Sequence, residues 1–291
     1  MLIISTLLLI LATLLAVHFW RQVGKLKSCL RQYAGGRIAR LAPGEVATTQ
    51  GRRTTSTICF TDMRGFTKIA ETLQPERVAY LLQEIYPTAL ETIRQEGGEV
   101  DKIIGDAVLF RHSDPAAAIK MVEKVQAALN QAAGKAAAQA GCKIPVFTSG
   151  LHTGPVFVCL IGSRGGFVDY TTLGDTVNLS SRIQSLCQYY KVSTLVSGDT
   201  LRASTGIIGY KLLDVVSVKG RQEPIEIYTK ISEIDNWLEF EAARKLYAEG
   251  NFSKAKEAFS RIGFSMWAKR CEYLEKAPPQ NWRGVWEWKQ K

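Results

Sequence analysis

The chain has 291 residues, 46% of them hydrophobic, and a formal net charge of +10. Such a length and composition exclude a disordered or fibrous protein and allow one main domain with a full core, plus appendages. The charge excess is local: eight basic residues stand between Arg21 and Arg53 against Glu45 alone, so seven of the ten net charges lie there, and with no zinc-finger or RNA-binding signature beside them no nucleic-acid partner is expected.

Leu2 to Trp20 holds no charged residue apart from the titratable His18 and is long enough to cross a bilayer as a helix. A transmembrane anchor over residues 1–20 is therefore expected. No Lys or Arg precedes the apolar core and no small-x-small site follows it, which argues against a cleaved signal peptide. Because the basic residues all follow the anchor, the remainder is expected on the cytoplasmic side of the cell (inner) membrane. Residues 21–53 read as a basic juxtamembrane linker, with a short helix fitting around Val23 to Tyr33.

From Thr57 the apolar and β-branched run Thr57-Ile-Cys-Phe-Thr-Asp62 predicts a strand ending on Asp62. A helix follows from Pro75 to Gln95, then two short apolar runs meet at Gly105-Asp106 and predict a hairpin. An Ala-rich helix is predicted from Pro115 to Ala140. Pro145 to His152 and Val156 to Ile161 read as a second hairpin turning at Thr153-Gly154. The segment Gly162-Ser-Arg-Gly-Gly166 lacks the spacing and the Lys-Ser/Thr ending of a phosphate loop and reads as a hairpin turn. A helix from Thr176 to Tyr189 and strands at Thr194–Val196, Tyr210–Val218 and Ile225–Ile231 complete a domain of mixed sheet and packed helices. Beyond it, Trp237, Phe240, Ala243, Leu246 and Tyr247 form one helical stripe and Phe252, Ala255, Ala258, Phe259 and Ile262 a second, broken at Gly250-Asn251. Residues 232–291 are thus a helical hairpin like one tetratricopeptide unit, followed by an aromatic tail with Trp282, Trp286 and Trp288. A single unit cannot form a solenoid, so it is expected to dock on its own domain or on a regulatory partner.

Asp62 and Asp106 both end strands. If those strands are neighbours the carboxylates converge, and two ionised carboxylates about 5 Å apart repel by roughly 3 kcal/mol at an effective dielectric near 20. Such a pair calls for a cation or a shared proton. Taken singly, each is a turn or cap aspartate. Asn178 and Arg182 are four residues apart and share one face of a predicted helix. His112 and His152 fall outside any ligand-like cluster and read as structural, and the six cysteines form no Cys-x-x-Cys pair, the pattern of reduced thiols.

Four ordered segments then carry a resemblance. Phe60-Thr-Asp-Met-Arg-Gly-Phe-Thr67, Lys102-Ile-Ile-Gly-Asp106, Asp169-Tyr-Thr-Thr-Leu-Gly-Asp-Thr-Val-Asn-Leu-Ser-Ser-Arg182 and Val218-Lys-Gly220 make residues 54–231 resemble the catalytic domain of the class III nucleotide cyclases. The resemblance implies an α+β, ferredoxin-like domain that works as a head-to-tail homodimer with active sites between two copies. It further implies that Asp62, the Met63 backbone carbonyl and Asp106 hold two Mg²⁺ or Mn²⁺ ions. Asn178 would orient the ribose, Arg182 would stabilise the pentavalent phosphate, and Lys219 would bind the β- or γ-phosphate. Lys102 and Thr171 stand where members of the family select the base, and this pair favours ATP, so that the expected product is 3',5'-cyclic AMP. A guanylate cyclase and a catalytically silent dimerisation module are the alternatives. One departure is Cys159-Leu160, where relatives have Gly-Asn.

Overall fold

The structure, a computed structural model, describes residues 11–28, 51–162, 168–218, 221 and 223–288. It divides into two units, Met1–Arg53 with Phe157–Thr172 and Thr54–Val156 with Leu173–Lys291. In the first unit residues 11–28 form a helix, α1, that leaves Leu14, Phe19 and Trp20 exposed. Among the described residues no helix is long and apolar enough to cross a membrane. Residues 1–10, half of the expected anchor, and the linker from 29 to 50 lie outside the described residues.

From residue 52 the chain forms β1 (Arg52–Arg64), α2 (Phe66–Thr72), α3 (Pro75–Gln95), β2 (Glu99–Ile104), β3 (Ala107–His112), α4 (Pro115–Ala140) and β4 (Val146–Gly162), the last crossing from the second unit into the first at Phe157. Every residue from Ser56 to Thr61 of β1 is buried, as a strand covered on both faces must be. Leu81, Ile85, Ala89 and Ile93 make the buried stripe of α3. The bounds of α4 follow from its caps: the Asp114 side chain accepts from the N–H groups of Ala116 and Ala117 at 2.8 and 3.1 Å, Pro115 takes the first helical position, and Gly141 closes the last turn at φ 76. Both helices bury their stripes in one apolar core with Phe110, Phe147 and Leu151.

The sheet runs β2-β3-β1-β4 and continues through β6 (Thr194–Ser197), β8 (Ile225–Lys230), β7 (Tyr210–Val218) and β9 (Val285–Trp288), with β5 (Val168–Leu173) off that path and paired to β4. In its first four strands the order 2-3-1-4, with α3 and α4 as the crossovers, is the ferredoxin-like arrangement expected from the sequence. β4 pairs β6 in parallel, whereas β1 pairs β3, and β2 pairs β3, antiparallel, so the sheet is mixed.

The hairpin expected at Thr153-Gly154 does not occur. β4 runs without a turn from Val146 to Gly162 and its hairpin partner is β5. The glycines of β4 serve close approach instead, because α5 (Asp175–Tyr190) lies across the strand. A methyl group on Gly150 would sit 2.2 Å from the backbone N of Gln184, and one on Gly154 would sit 2.7 Å from the Thr176 Oγ1. Two residues four apart on a strand share a face, and that face is what the helix covers.

After α6 (Gly198–Ala203), β7 and β8 come α7 (Trp237–Ala248), α8 (Phe252–Arg261), α9 (Ser265–Lys276) and then β9. The expected two-helix hairpin thus has a third helix, and it docks on its own domain: Phe240, Tyr247, Phe259 and Trp267 share one core with Leu179 and Ile183 of α5 and with Val216 of β7. The aromatic tail becomes an edge strand.

Because the atom facing Gly150 is backbone, the overlap cannot be relieved by a rotamer change. Gly150→Ala should lower the unfolding free energy by about 1–3 kcal/mol, read from the shift in urea midpoint at constant m-value. An unchanged midpoint would mean that α5 does not lie this close.

Candidate functional site

Strand register brings the two aspartates together. Thr61 pairs with Val108, so Asp62 follows at the end of β1 beside the Gly105-Asp106 turn, where Gly105 adopts φ 62 as a two-residue hairpin loop demands. The Asp62 Oδ1 accepts the Met63 N–H at 2.8 Å. Asp106 is half-buried, with the Asp62 carboxyl as its charged neighbour. Burial first, then the hydrogen bond to Asp62 and the charge of Asp62, push the Asp106 carboxyl up to about 7. A cation beside the two carboxyl groups would offset that cost. Two carboxylates beside a backbone carbonyl are hard oxygen donors of the kind that Mg²⁺ and Mn²⁺ take, so the residues present fit a divalent ion. Among the described residues no cluster of three or more His, Cys, Asp or Glu side chains exists, so such an ion would complete its shell with substrate oxygens and water.

The sequence reading missed one neighbour of this pair. The Tyr86 hydroxyl of α3 donates to the Gly105 carbonyl at 2.5 Å, and burial, then the charges of Asp106 and Asp62, push that hydroxyl above its ordinary value. Tyr86 follows the buried Ile85 on the flank of the apolar stripe, a position that gives no hint of a contact with a turn 19 residues away.

Asn178 and Arg182 are presented by α5, whose other side is pinned to the sheet. The Thr176 hydroxyl donates to the Pro155 carbonyl at 2.7 Å, Ser180 Oγ bonds the carbonyls of Ile58 and Gly150 at 2.8 and 2.9 Å, and Gln184 Nε2 donates to Thr148 Oγ1 at 2.9 Å. These anchors recur every four residues, so Asn178, two residues from each neighbouring anchor, points away from the sheet and is exposed. Arg64 reaches the far end of the helix: its Nη2 donates to the carbonyls of Cys187 and Val192 at 3.1 and 2.9 Å. It thereby ties the end of β1 to the negative end of α5. Lys102 sits half-buried on β2, paired with Leu109 beside a bulge. Thr171 is buried on β5, in the first unit. Lys219 lies outside the described residues, directly after Val218 at the end of β7.

Behind α5 a buried hydroxyl chain links Thr57 to Thr153 at 2.8 Å, Thr153 to Thr200 at 3.0 Å, and Thr200 to Ser197 at 3.0 Å. His152 ends the chain, its Nδ1 at 2.8 Å from Ser197 Oγ. Burial, against the opposing charge of Asp199, lowers the His152 pKa to about 4.

Residues 49–231 match the family described as the adenylate and guanylate cyclase catalytic domain. The adenylate cyclase of Anabaena cylindrica is 31% identical over 192 residues, covering 63% of this chain and 38% of that protein. Adenylate cyclase 1 of Rhizobium meliloti is 28% identical over 184 residues, covering 61% and 28%. The crystal structure of the adenylyl cyclase CyaB from P. aeruginosa aligns at a TM-score of 0.58 and 27% identity, over 65% of this chain and 97% of that one. This chain belongs to the adenylate and guanylate cyclase catalytic-domain family. It spans less than two fifths of the length of either curated relative.

His152 is neutral in the fold, and its folded pKa of about 4 lies below the ordinary 6.5. Its contribution to stability is thus complete above pH 6.5 and is lost as pH falls toward 4, with a slope approaching about 1.4 kcal/mol per pH unit. His152→Gln should remove that slope. Parallel stability–pH curves for the two proteins between pH 7 and 5 would show that His152 is not buried neutral.

Proposed function

We propose that this chain is an adenylate cyclase that converts ATP to 3',5'-cyclic AMP and pyrophosphate. The observation that supports it most is the pairing of β1 with β3, which sets Asp62 beside the hairpin tip that carries Asp106, whose carboxyl is raised to about 7 by burial and by Asp62. In the reaction the ribose 3'-oxygen bonds to the α-phosphorus, the bond from that phosphorus to the bridging oxygen breaks, and the hydroxyl proton is released. Charge grows on the α-phosphate oxygens and on the pyrophosphate. When bound, Mg²⁺ or Mn²⁺, two per site, supplies positive charge that eases deprotonation of the hydroxyl and holds the phosphates. Asp62, Asp106 and the Met63 carbonyl would bind it. Asn178 orients the ribose, Arg182 meets the charge on the α-phosphate, and Lys219 holds the outer phosphates. Lys102 and Thr171 hydrogen-bond the adenine edge, so guanine would leave them unpaired.

The site is proposed to form in a head-to-tail homodimer, one protomer giving Asp62 and Asp106 and its partner giving the base-, ribose- and phosphate-binding residues. Two sites per dimer follow from the two-fold symmetry. Residues 1–20 are proposed to anchor the protein in the cell membrane with the catalytic domain on the cytoplasmic side. The uncharged run Leu2–Trp20 and the basic residues after it support that reading.

Purified protein with Mn²⁺ should make cyclic AMP from ATP and little cyclic GMP from GTP. Preference for GTP would reassign the substrate, and no product from either would leave a silent dimerisation module. Asp106→Ala and Arg182→Ala should each lose about a hundredfold in kcat, and mixing the two variant chains should restore one working site per mixed dimer. A mixture as inactive as its parents would rule out shared sites.

A further inference from the structure

We propose that the C-terminal segment from Trp237 to Trp288 is a built-in brace of the ribose- and phosphate-binding half-site, with Arg270 and Trp288 as positioning residues for Asn178 and Arg182. The proposal rests on the roles given to those two residues above. Its basis is where the segment grips the catalytic domain.

The first grip is a strand. β9 pairs β7 in parallel, with Val215↔Val285, Val216↔Trp286, Ser217↔Glu287 and Val218↔Trp288 in register. The ladder ends on Val218, the residue before Lys219. Without β9, β7 would be a sheet edge, its outward N–H and C=O groups unpaired. The Trp288 ring also meets Tyr189, in the last turn of α5, edge-on at 4.6 Å.

The second grip is a buried ion pair. Arg270 of α9 donates to the Asp214 carboxylate of β7 at 2.5 Å, with side-chain exposures of 1% and 2%. The same carboxylate accepts the Tyr190 hydroxyl of α5 at 2.5 Å, and Arg270 Nη2 donates to that hydroxyl at 3.1 Å. The guanidinium lies over Trp267 at 4.3 Å and over Trp286 at 4.4 Å. One cation thus locks together β7, which leads to Lys219, and α5, which carries Asn178 and Arg182. A charge pair so deeply buried has few alternative geometries, because any loosening leaves an unpaired ion. The sheet neighbours of β7 are β8 and β9, and the carboxylate pair stands on β1 and the β2–β3 turn at the other end of the strand order. The brace therefore grips β7 and α5, the elements of one half-site, directly, and meets the carboxylate half at one remove, through the bonds of α5 to Ile58 and Arg64.

Subunit mixing of full-length chains separates this from a general loss of folding. Glu287→Pro places a residue without an N–H inside the short strand β9, and Trp288→Ala removes the ring on Tyr189; Trp288→Phe is the conservative control. Glu287→Pro should cost about a hundredfold in kcat/KM for ATP, the scale of an ångström of misplacement, Trp288→Ala less, and Trp288→Phe least. Mixed with Asp106→Ala chains, the Glu287→Pro and Trp288→Ala chains should regain activity, because their carboxylate half is intact. Mixed with Arg182→Ala chains they should regain none. Rescue by Arg182→Ala chains, equal rescue by both partners, or wild-type activity in both variants would overturn the brace. So would the absence of any rescue in a series where Asp106→Ala and Arg182→Ala chains rescue each other. If that reference pair also fails, the fault lies in the assignment of the half-sites, and the brace falls with it.

Discussion

The fit of α5 against β4 is the constraint on which the rest of the structure depends. At Gly150 no side chain of any kind fits between strand and helix, and the helix is then held by Thr176, Ser180 and Gln184, each hydrogen-bonded to β1 or β4. These bonds satisfy buried hydroxyl and amide groups that would otherwise cost about 1–3 kcal/mol each. With one side of α5 given over to the sheet, the opposite side is free to carry Asn178 and Arg182. The same helix buries Leu179, Ile183, Leu186 and Cys187 in the core that the C-terminal helices complete. A rotation of α5 about its axis would break both arrangements.

Charge is handled differently in the two halves of the second unit. At Asp62 and Asp106 like charges meet, and the cost appears as a carboxyl pushed up to about 7, chiefly by burial. At Asp214 and Arg270 opposite charges meet in a dry core, where the desolvation of both ions offsets much of their attraction. The surrounding aromatic rings, five of them within 4.3–5.7 Å of the guanidinium, add a favourable electrostatic environment. The first arrangement is poised to take a ligand, and the second is complete within the chain. That contrast agrees with a binding role for one and a positioning role for the other.

What could be read from the sequence depended on whether the signal was local. The α4 bounds at Pro115 and Ala140 were legible because Asp114, Pro115 and Gly141 are a complete set of caps, and the Gly105-Asp106 hairpin because its turn chemistry has few other meanings. Asp62, Asp106, Asn178 and Arg182 stood out through their order and spacing. Gly154 misled, since a glycine marks either a turn or a close approach, and only the position of α5 distinguishes them. The helix Ser265–Lys276 starts without a side-chain cap, and β9 is a four-residue strand recruited by a parallel neighbour; neither has a local signature. Tyr86 and the Arg270–Asp214 pair depend on contacts 19 and 56 residues apart in sequence, which no pattern in a single segment encodes.

The placement of the tryptophans bears on how this protein reports its own unfolding. Of the six, Trp20 is in α1 and the other five, Trp237, Trp267, Trp282, Trp286 and Trp288, all lie in the C-terminal segment. None is in β1, α3, the β2–β3 hairpin or α4. Tryptophan fluorescence of the catalytic unit, excited selectively over tyrosine, is therefore an optical signal from the C-terminal segment alone. An emission transition would register the release of that segment, while the carboxylate half stayed dark. Circular dichroism of the helices, α3 and α4 among them, is the complementary probe, and coincidence of the two curves is the criterion for a single cooperative unit.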